Sequence, residues 1–200
     1  MERWATFDCY GTLIDWDGGI SRELLAGYHE LEPQVQAESP DLAYRDVMTE
    51  AVRRLGSSDP ERLARSLPSW EPFPEVPASL EELRGRGWRL AILSNTDTDL
   101  LTASQERLGV PFDAAVVASE IGSYKPAHGH WHRFFEQTGA DRQRHVHVAG
   151  SHFHDIVPAA ALGLTSVWVN RLGERRTPAP TRELPDLTRL PETLDELVPV

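Results

Sequence analysis

Asp8, Ser94-Asn95, Lys125 and Asp155 each stand just past a short apolar run, and together they suit one covalent reaction. Asp8 follows Trp4-Ala5-Thr6-Phe7, and Gly11 three residues on allows a tight turn. A carboxylate held at such a strand end can attack an electrophile and form a covalent intermediate. It must be ionised to do so, and a nearby ammonium, which Lys125 can supply, favours the charged form. Hydroxyl and amide donors from Thr12, Ser94 and Asn95 can stabilise negative charge on a departing group or acyl oxygen. Asp155 can orient Lys125, activate a water for a second step, or hold a metal. Each residue also has a plain structural reading. Asp8 can cap a turn, Lys125 can be a surface lysine before Pro126, Ser94-Asn95 an ordinary cap pair, and Asp155 a helix N-cap. Ligands of open parallel sheets bind beyond the carboxyl ends of the strands, so four such groups in succession there favour chemistry.

The elements needed to position these groups are visible in the periodicity. After the first strand, Ile20, Leu24, Leu25, Tyr28 and Leu31 recur at helical spacing, and further helices are expected over 42–55 and 61–67. Loops rich in Pro, Ser and Asp separate them. From Pro72 the rhythm becomes helix, strand, helix, strand. Helices are expected over 77–86, 98–108, 131–138 and 156–162, and strands over 88–93, 115–118, 145–149 and 165–169. The proline-dotted stretch from Glu174 is expected to cross the surface before a short helix over 193–197. This alternation predicts an α/β fold, a Rossmann-like doubly wound parallel sheet with a helical insertion after the first strand.

Composition narrows the partners. The 200 residues carry 20 Lys and Arg against 31 Asp and Glu, a formal charge of −11, which disfavours nucleic acid and anionic membrane surfaces. A small anionic substrate needs only a locally positive pocket. No apolar stretch approaches a membrane span, and Met1-Glu2-Arg3 is expected to enter a strand directly, with no secretion signal visible. Cys9 is the only cysteine, so no intramolecular disulfide can form and a cytoplasmic location is expected. Strand alternation turns Cys9 away from the Asp8 side and into the core.

The run Phe7-Asp8-Cys9-Tyr10-Gly11-Thr12-Leu13, with Ser94-Asn95, Lys125-Pro126 and His154-Asp155-Ile156, resembles the haloacid dehalogenase superfamily of hydrolases over about residues 3–172. The resemblance implies a Rossmann-like core (1–14 and 72–200), a mobile helical cap (15–71), and Asp8 as covalent nucleophile. Thr12, Ser94, Lys125 and Asp155 then serve as its catalytic partners. Most members of the superfamily are phosphatases, in which a second aspartate two positions after the nucleophile protonates the leaving alcohol. Tyr10 stands there in this chain, and tyrosine, with a pKa of about 10, is a poor acid at neutral pH. A halide leaving group needs no proton. Magnesium-using members often carry an acidic residue where Ser151 stands, so only Asp8, Asp155 and backbone oxygens remain to hold Mg²⁺.

Both departures point to the L-2-haloacid dehalogenase branch, as does Trp168-Val169-Asn170-Arg171. That branch implies an arginine on the first cap helix, where this chain has Tyr28-His29. Arg45 is the candidate anion clamp instead, set against the reading of it as a solvated arginine like Arg53 and Arg54. Serine and asparagine of the fourth motif become Gly150 and His152, and Trp131 replaces a tyrosine. Tyr10, Asn95, Ser151, His152 and Arg45 are therefore expected around the substrate. His152, His154 and Asp155 could ligate zinc or iron, but no further His or Cys lies at ligand spacing.

The expected reaction displaces halide from a small 2-haloacid through an Asp8 ester, which water then hydrolyses with help from Asp155 and Lys125. No cofactor is expected for it. The alternative is a Mg²⁺-dependent phosphatase of a small phosphoester. Behind both stands a non-catalytic module that binds an acidic metabolite or a partner protein. The resemblance implies a monomer or homodimer.

Overall fold

The computed structural model describes residues 2–20 and 22–200, and side chains except those of 21–26. Six strands, β1 (Arg3–Phe7), β2 (Trp88–Ser94), β3 (Ala114–Val117), β4 (His145–Ala149), β5 (Ser166–Val169) and β6 (Arg182–Leu184), form one sheet in the order β3-β2-β1-β4-β5-β6. Every neighbouring pair is parallel. The chain builds outward from β1 on one side, then returns to add β4 on the other. The switch point therefore lies between β1 and β4, where a ligand crevice forms beyond the strand ends. Asp8 is the first residue past β1, and its N–H donates to Val148 O of β4 at 3.1 Å.

Alternation along the strands divides the core between the two faces. Ala5, Phe7, Leu90, Ile92, Val146 and Val148 pack on one side, under α5 (Val76–Gly85), α6 (Thr98–Leu108) and α10 (Leu190–Leu197). Trp4, Ala91, Leu93 and Val116 pack on the other, against Trp131 and Phe134 of α8 (Gly129–Thr138) and Ala159 of α9 (Val157–Ala161). A short α7 (Ala118–Ile121) follows β3. Sheets covered on both faces normally carry continuous apolar strands. The buried Thr6, His145 and His147 in β1 and β4 break that rule.

Between β1 and β2 lies the helical insertion, with α1 (Trp16–Gly19), α2 (Arg22–Glu38), α3 (Tyr44–Arg54), α4 (Arg62–Ser66) and a 3₁₀ turn at Leu67–Ser69. Tyr44, Val47, Met48, Ala51 and Val52 form the buried stripe of α3 at the i, i+3, i+4, i+7, i+8 spacing of an amphipathic helix. Tyr28 and Val35 do the same for α2; Leu24 and Leu25, expected on that stripe, have side chains outside those described. These residues join one core with the first face of the sheet. The chain leaves the sheet domain and returns to it through paired backbones, Asp15 N–H to Glu71 O at 2.9 Å and Phe73 N–H to Leu13 O at 3.0 Å.

Two features depart from the periodicity. The stretch after Glu174 contains β6, which pairs Trp168 with Glu183 at the sheet edge. Its three residues carry one apolar side chain between two prolines, so main-chain bonding, not hydrophobic patterning, makes it a strand. The helix expected to begin at Ile156 is preceded by a π-turn over His152–Ile156, and this turn brings Asp155 into the crevice. Among the described residues, no helix is long and apolar enough to cross a membrane.

Candidate active site

The loop after β1 is built to hold a carboxylate. Gly11, with φ of +81°, turns the chain so that Cys9 O accepts from Leu13 N–H at 2.8 Å and Ile14 N–H at 3.0 Å. Thr12 then lies beside Asp8, donating its hydroxyl to Oδ2 at 2.8 Å while accepting Gly150 N–H at 2.7 Å. A side chain at 150 would put its Cβ 2.6 Å from Gly11 O, so the β1 and β4 loops can meet only around glycine. That contact accounts for Gly150 in a position where the resemblance implies serine.

Lys125 closes the other side. Its Nζ donates to Asp8 Oδ1 at 2.8 Å, Asp155 Oδ1 at 2.7 Å and Leu93 O at 2.9 Å, so all three N–H bonds are used. It is the only lysine in the chain; every other permanent side-chain cation is arginine. A compact ammonium can serve three acceptors around one point, which a planar guanidinium fork cannot. Asn95 positions it, accepting Lys125 N–H at 2.6 Å and donating to Lys125 O at 2.9 Å. Ser94 ends β2 fully buried beside them, its carbonyl meeting His130 Nε2 at 3.0 Å.

Behind Asp155 runs a chain of buried polar groups. His147 Nε2–H donates to Asp155 Oδ1 at 3.0 Å, since an ionised carboxylate can only accept. Thr6 Oγ1 lies 2.8 Å from His147 Nδ1 and 2.8 Å from His145 Nε2, so one hydroxyl links the two rings. Thr6 and His147 are cross-strand partners in the β1–β4 pair. Asp155 Oδ2 is buried and meets no donor among the described residues.

This arrangement separates the two carboxylates. Burial works against ionised Asp155, but the Lys125 ammonium and the His147 bond outweigh it and bring the group down to about 2. Burial raises Asp8 above the ordinary carboxylate range; Lys125 opposes that rise and the Asp155 charge adds to it. Burial also works against the Lys125 charge, yet the two aspartates raise it overall, so it remains an ammonium. Burial raises the Cys9 thiol, which stays protonated in the core.

Asp8, Thr12, Lys125 and Asp155 thus meet at one point, with Ser94 buried at the neighbouring strand end, and each of the five residues expected around the substrate has a partner within the protein. The Tyr10 hydroxyl pairs with Ser104 Oγ at 3.0 Å, away from Asp8. Asn95 holds the Lys125 backbone. Ser151 Oγ caps the π-turn through His154 N–H at 3.2 Å and meets His154 Nδ1 at 3.1 Å. His152 Nε2 donates to Pro178 O at 2.8 Å, with its ring against Trp168. Arg45 pairs through Nε with Asp97 at 3.1 Å and through Nη2 with Asp99, which latches α3 to the loop after β2 and to the start of α6. Conversely, His147 was hidden in a strand. The signal for it was polar residues at alternate positions 145 and 147, where a doubly covered strand should be apolar.

The donor set suits magnesium poorly. Both Asp8 oxygens are hydrogen-bonded, Asp155 offers one free oxygen, and no group of three His, Cys, Asp or Glu residues that could hold a metal occurs among the described residues.

A family model for haloacid dehalogenase-like hydrolases matches residues 6–169. The chain belongs to this family of enzymes. The (S)-2-haloacid dehalogenase of Pseudomonas sp. (strain YL) is 30% identical to it over 191 residues, 84% of this chain and 82% of that protein. The glyceraldehyde 3-phosphate phosphatase of Methanothermobacter thermautotrophicus is 31% identical over 101 residues, 50% of this chain and 45% of that one. The solved L-2-haloacid dehalogenase of Xanthobacter autotrophicus shares the fold with a TM-score of 0.82 at 21% identity, covering 97% of this chain and 98% of that one.

Proposed function

We propose that this hydrolase cleaves the carbon–halogen bond of a small 2-haloacid through an ester on Asp8, under a cap formed by α1 to α4. The observation that carries the reading is a buried carboxylate oriented on both oxygens, by Thr12 and Lys125, with no proton donor two residues on because the Tyr10 hydroxyl is tied to Ser104. Relatives support it: the Pseudomonas protein is an (S)-2-haloacid dehalogenase, and the Xanthobacter enzyme has been solved with chloropropionic acid covalently bound.

In the first step an Asp8 oxygen attacks the α-carbon, and the halide leaves with the bonding electrons. No proton moves, and no metal or other cofactor is needed. In the second step water adds to the Asp8 carboxyl carbon. Lys125 Nζ, 2.8 Å from Oδ1, stabilises the oxyanion that forms. Asp155, held ionised, fixes that ammonium and offers its unpartnered Oδ2 to orient the water. Collapse expels the hydroxy acid, whose alkoxide oxygen takes one proton of the added water, and restores the Asp8 carboxylate as the other proton passes to solvent.

The phosphatase reading has the partial match to the Methanothermobacter protein in its favour, but lacks the leaving-group acid and has a donor set that suits magnesium poorly. One paired assay separates the two. Halide release from (S)-2-chloropropionate should survive EDTA, with negligible turnover of an aryl phosphate. Chelator-sensitive phosphate release without halide would overturn the proposal.

A further inference from the structure

The helical insertion holds a buried carboxyl of its own, tied through Tyr44 to the loop after β2. Glu32, in the middle of α2, is buried, and its Oε1 accepts from Tyr44 Oη at 2.9 Å and Gln36 Nε2 at 3.2 Å. Tyr44 opens α3, and its N–H donates to Asp97 Oδ1 at 2.8 Å, which fastens this cluster to the loop two residues past Asn95. The Asp8 charge lies close enough to raise Glu32. Two donors on Oε1 give that oxygen the character of a carbonyl, whereas Oε2 accepts no hydrogen bond from any described residue. A proton on the group therefore sits on Oε2, as a free O–H.

Burial raises Glu32 most, the Tyr44 bond draws it back, Asp8 pushes it further and Gln36 opposes, leaving it at about 7. The cations nearby are committed. Lys125 serves both aspartates, Arg45 serves Asp97 and Asp99, and Arg171 serves Glu75 at 2.8 Å and Thr12 O at 3.1 Å. Burial, the largest effect on both, lowers His29 and brings His154 down to about 4, so they are neutral at pH 7. We propose that Glu32, as a neutral carboxyl, receives the carboxylate of the substrate through its Oε2–H, in place of a cationic clamp. This rests on the haloacid reading above, because it is the haloacid's carboxylate that is received. A carboxyl–carboxylate hydrogen bond is charge-assisted and stronger than a neutral one.

The consequence is binding gated by a proton. With its proton Glu32 donates; without it, Glu32 and Asp8 together repel the ligand. The groups that act on it are Asp8 from the sheet, Tyr44 from α3, Tyr28 and Gln36 from its own helix, and Tyr124 before Lys125. Burial raises Tyr28, Tyr44 and Tyr124, so these stay neutral throughout.

Calorimetric titration with propionate, an unreactive carboxylate, in two buffers of different ionisation enthalpy tests the inference without turnover. For wild type, Kd should weaken about thirtyfold from pH 6 to pH 8.5, with about one proton taken up per propionate at pH 8. Glu32→Gln keeps a neutral donor, so its Kd should be flat over that range and its proton uptake at pH 8 near zero. Glu32→Leu should bind weakly at every pH. A flat wild-type profile, no saturable binding at pH 6, or undiminished proton uptake in Glu32→Gln would overturn it. Halide release from (S)-2-chloropropionate is scored separately. Halide without the Glu32 linkage defeats this inference alone, whereas linkage without halide defeats the haloacid reading and leaves the carboxylate site standing.

Discussion

Asp8→Asn should lower halide release from (S)-2-chloropropionate by at least about 10⁴-fold, because an amide oxygen cannot replace the attacking carboxylate. Stability should not fall with it. Burial and the Asp155 charge raise Asp8 above its unfolded value, so above that value the ionised group costs the folded state free energy. Asparagine removes that cost and leaves Lys125 paired one-to-one with Asp155. The variant should therefore unfold at or above the wild-type temperature at pH 7. The same shift sets the acid limb of the wild-type rate: activity should fade as pH drops through a value above the ordinary carboxylate value of about 4. Near wild-type turnover in a folded Asp8→Asn enzyme would contradict the assignment.

Lys125→Met should be as inactive, and far less stable. The ammonium lies between two buried carboxylates, and removing it leaves both unpaired against each other. A loss of about 3–5 kcal/mol is expected for such a break. The sign follows from the shifts. Asp155 is depressed, so its contribution is present above about pH 4 and lost as pH falls through about 2. Lys125 is raised, so its contribution is present below about pH 10 and lost as pH rises through its higher folded value. At neutral pH the variant forfeits both. Its deficit in urea unfolding should shrink at pH 5, where one carboxylate can take a proton, and Asp8→Asn in the same chain should recover part of it. A pH-independent deficit would show that packing, not charge, was lost.

Asp8, Thr12, Lys125 and Asp155 were legible in the sequence because strand ends and parallel topology converge on one edge wherever the intervening helices run. The partners of Tyr10, Asn95, Ser151, His152 and Arg45 were not, because only the folded chain supplies them: Ser104 on α6, the Lys125 backbone, the π-turn, Pro178 in the last loop, and Asp97 with Asp99. His147 and Glu32 are silent in the sequence for the opposite reason. They lie inside a strand and a helix whose periodicity was already satisfied, and their chemistry arises from Asp155 in one case and from burial beside Tyr44 in the other. The β6 strand left no hydrophobic pattern, since its pairing is carried by the backbone.

Whether Asp8 itself forms the bond to carbon is settled by where oxygen goes. With enzyme in excess over (S)-2-chloropropionate in H₂¹⁸O, water should attack the Asp8 carboxyl carbon, not the substrate carbon. Mass spectrometry of the peptide containing Asp8 should then find one ¹⁸O in its carboxylate, and the hydroxyl oxygen of the first product molecules should be ¹⁶O. Product labelled in the first turnover, with Asp8 unlabelled, would mean that water attacked the substrate directly and that no ester was formed.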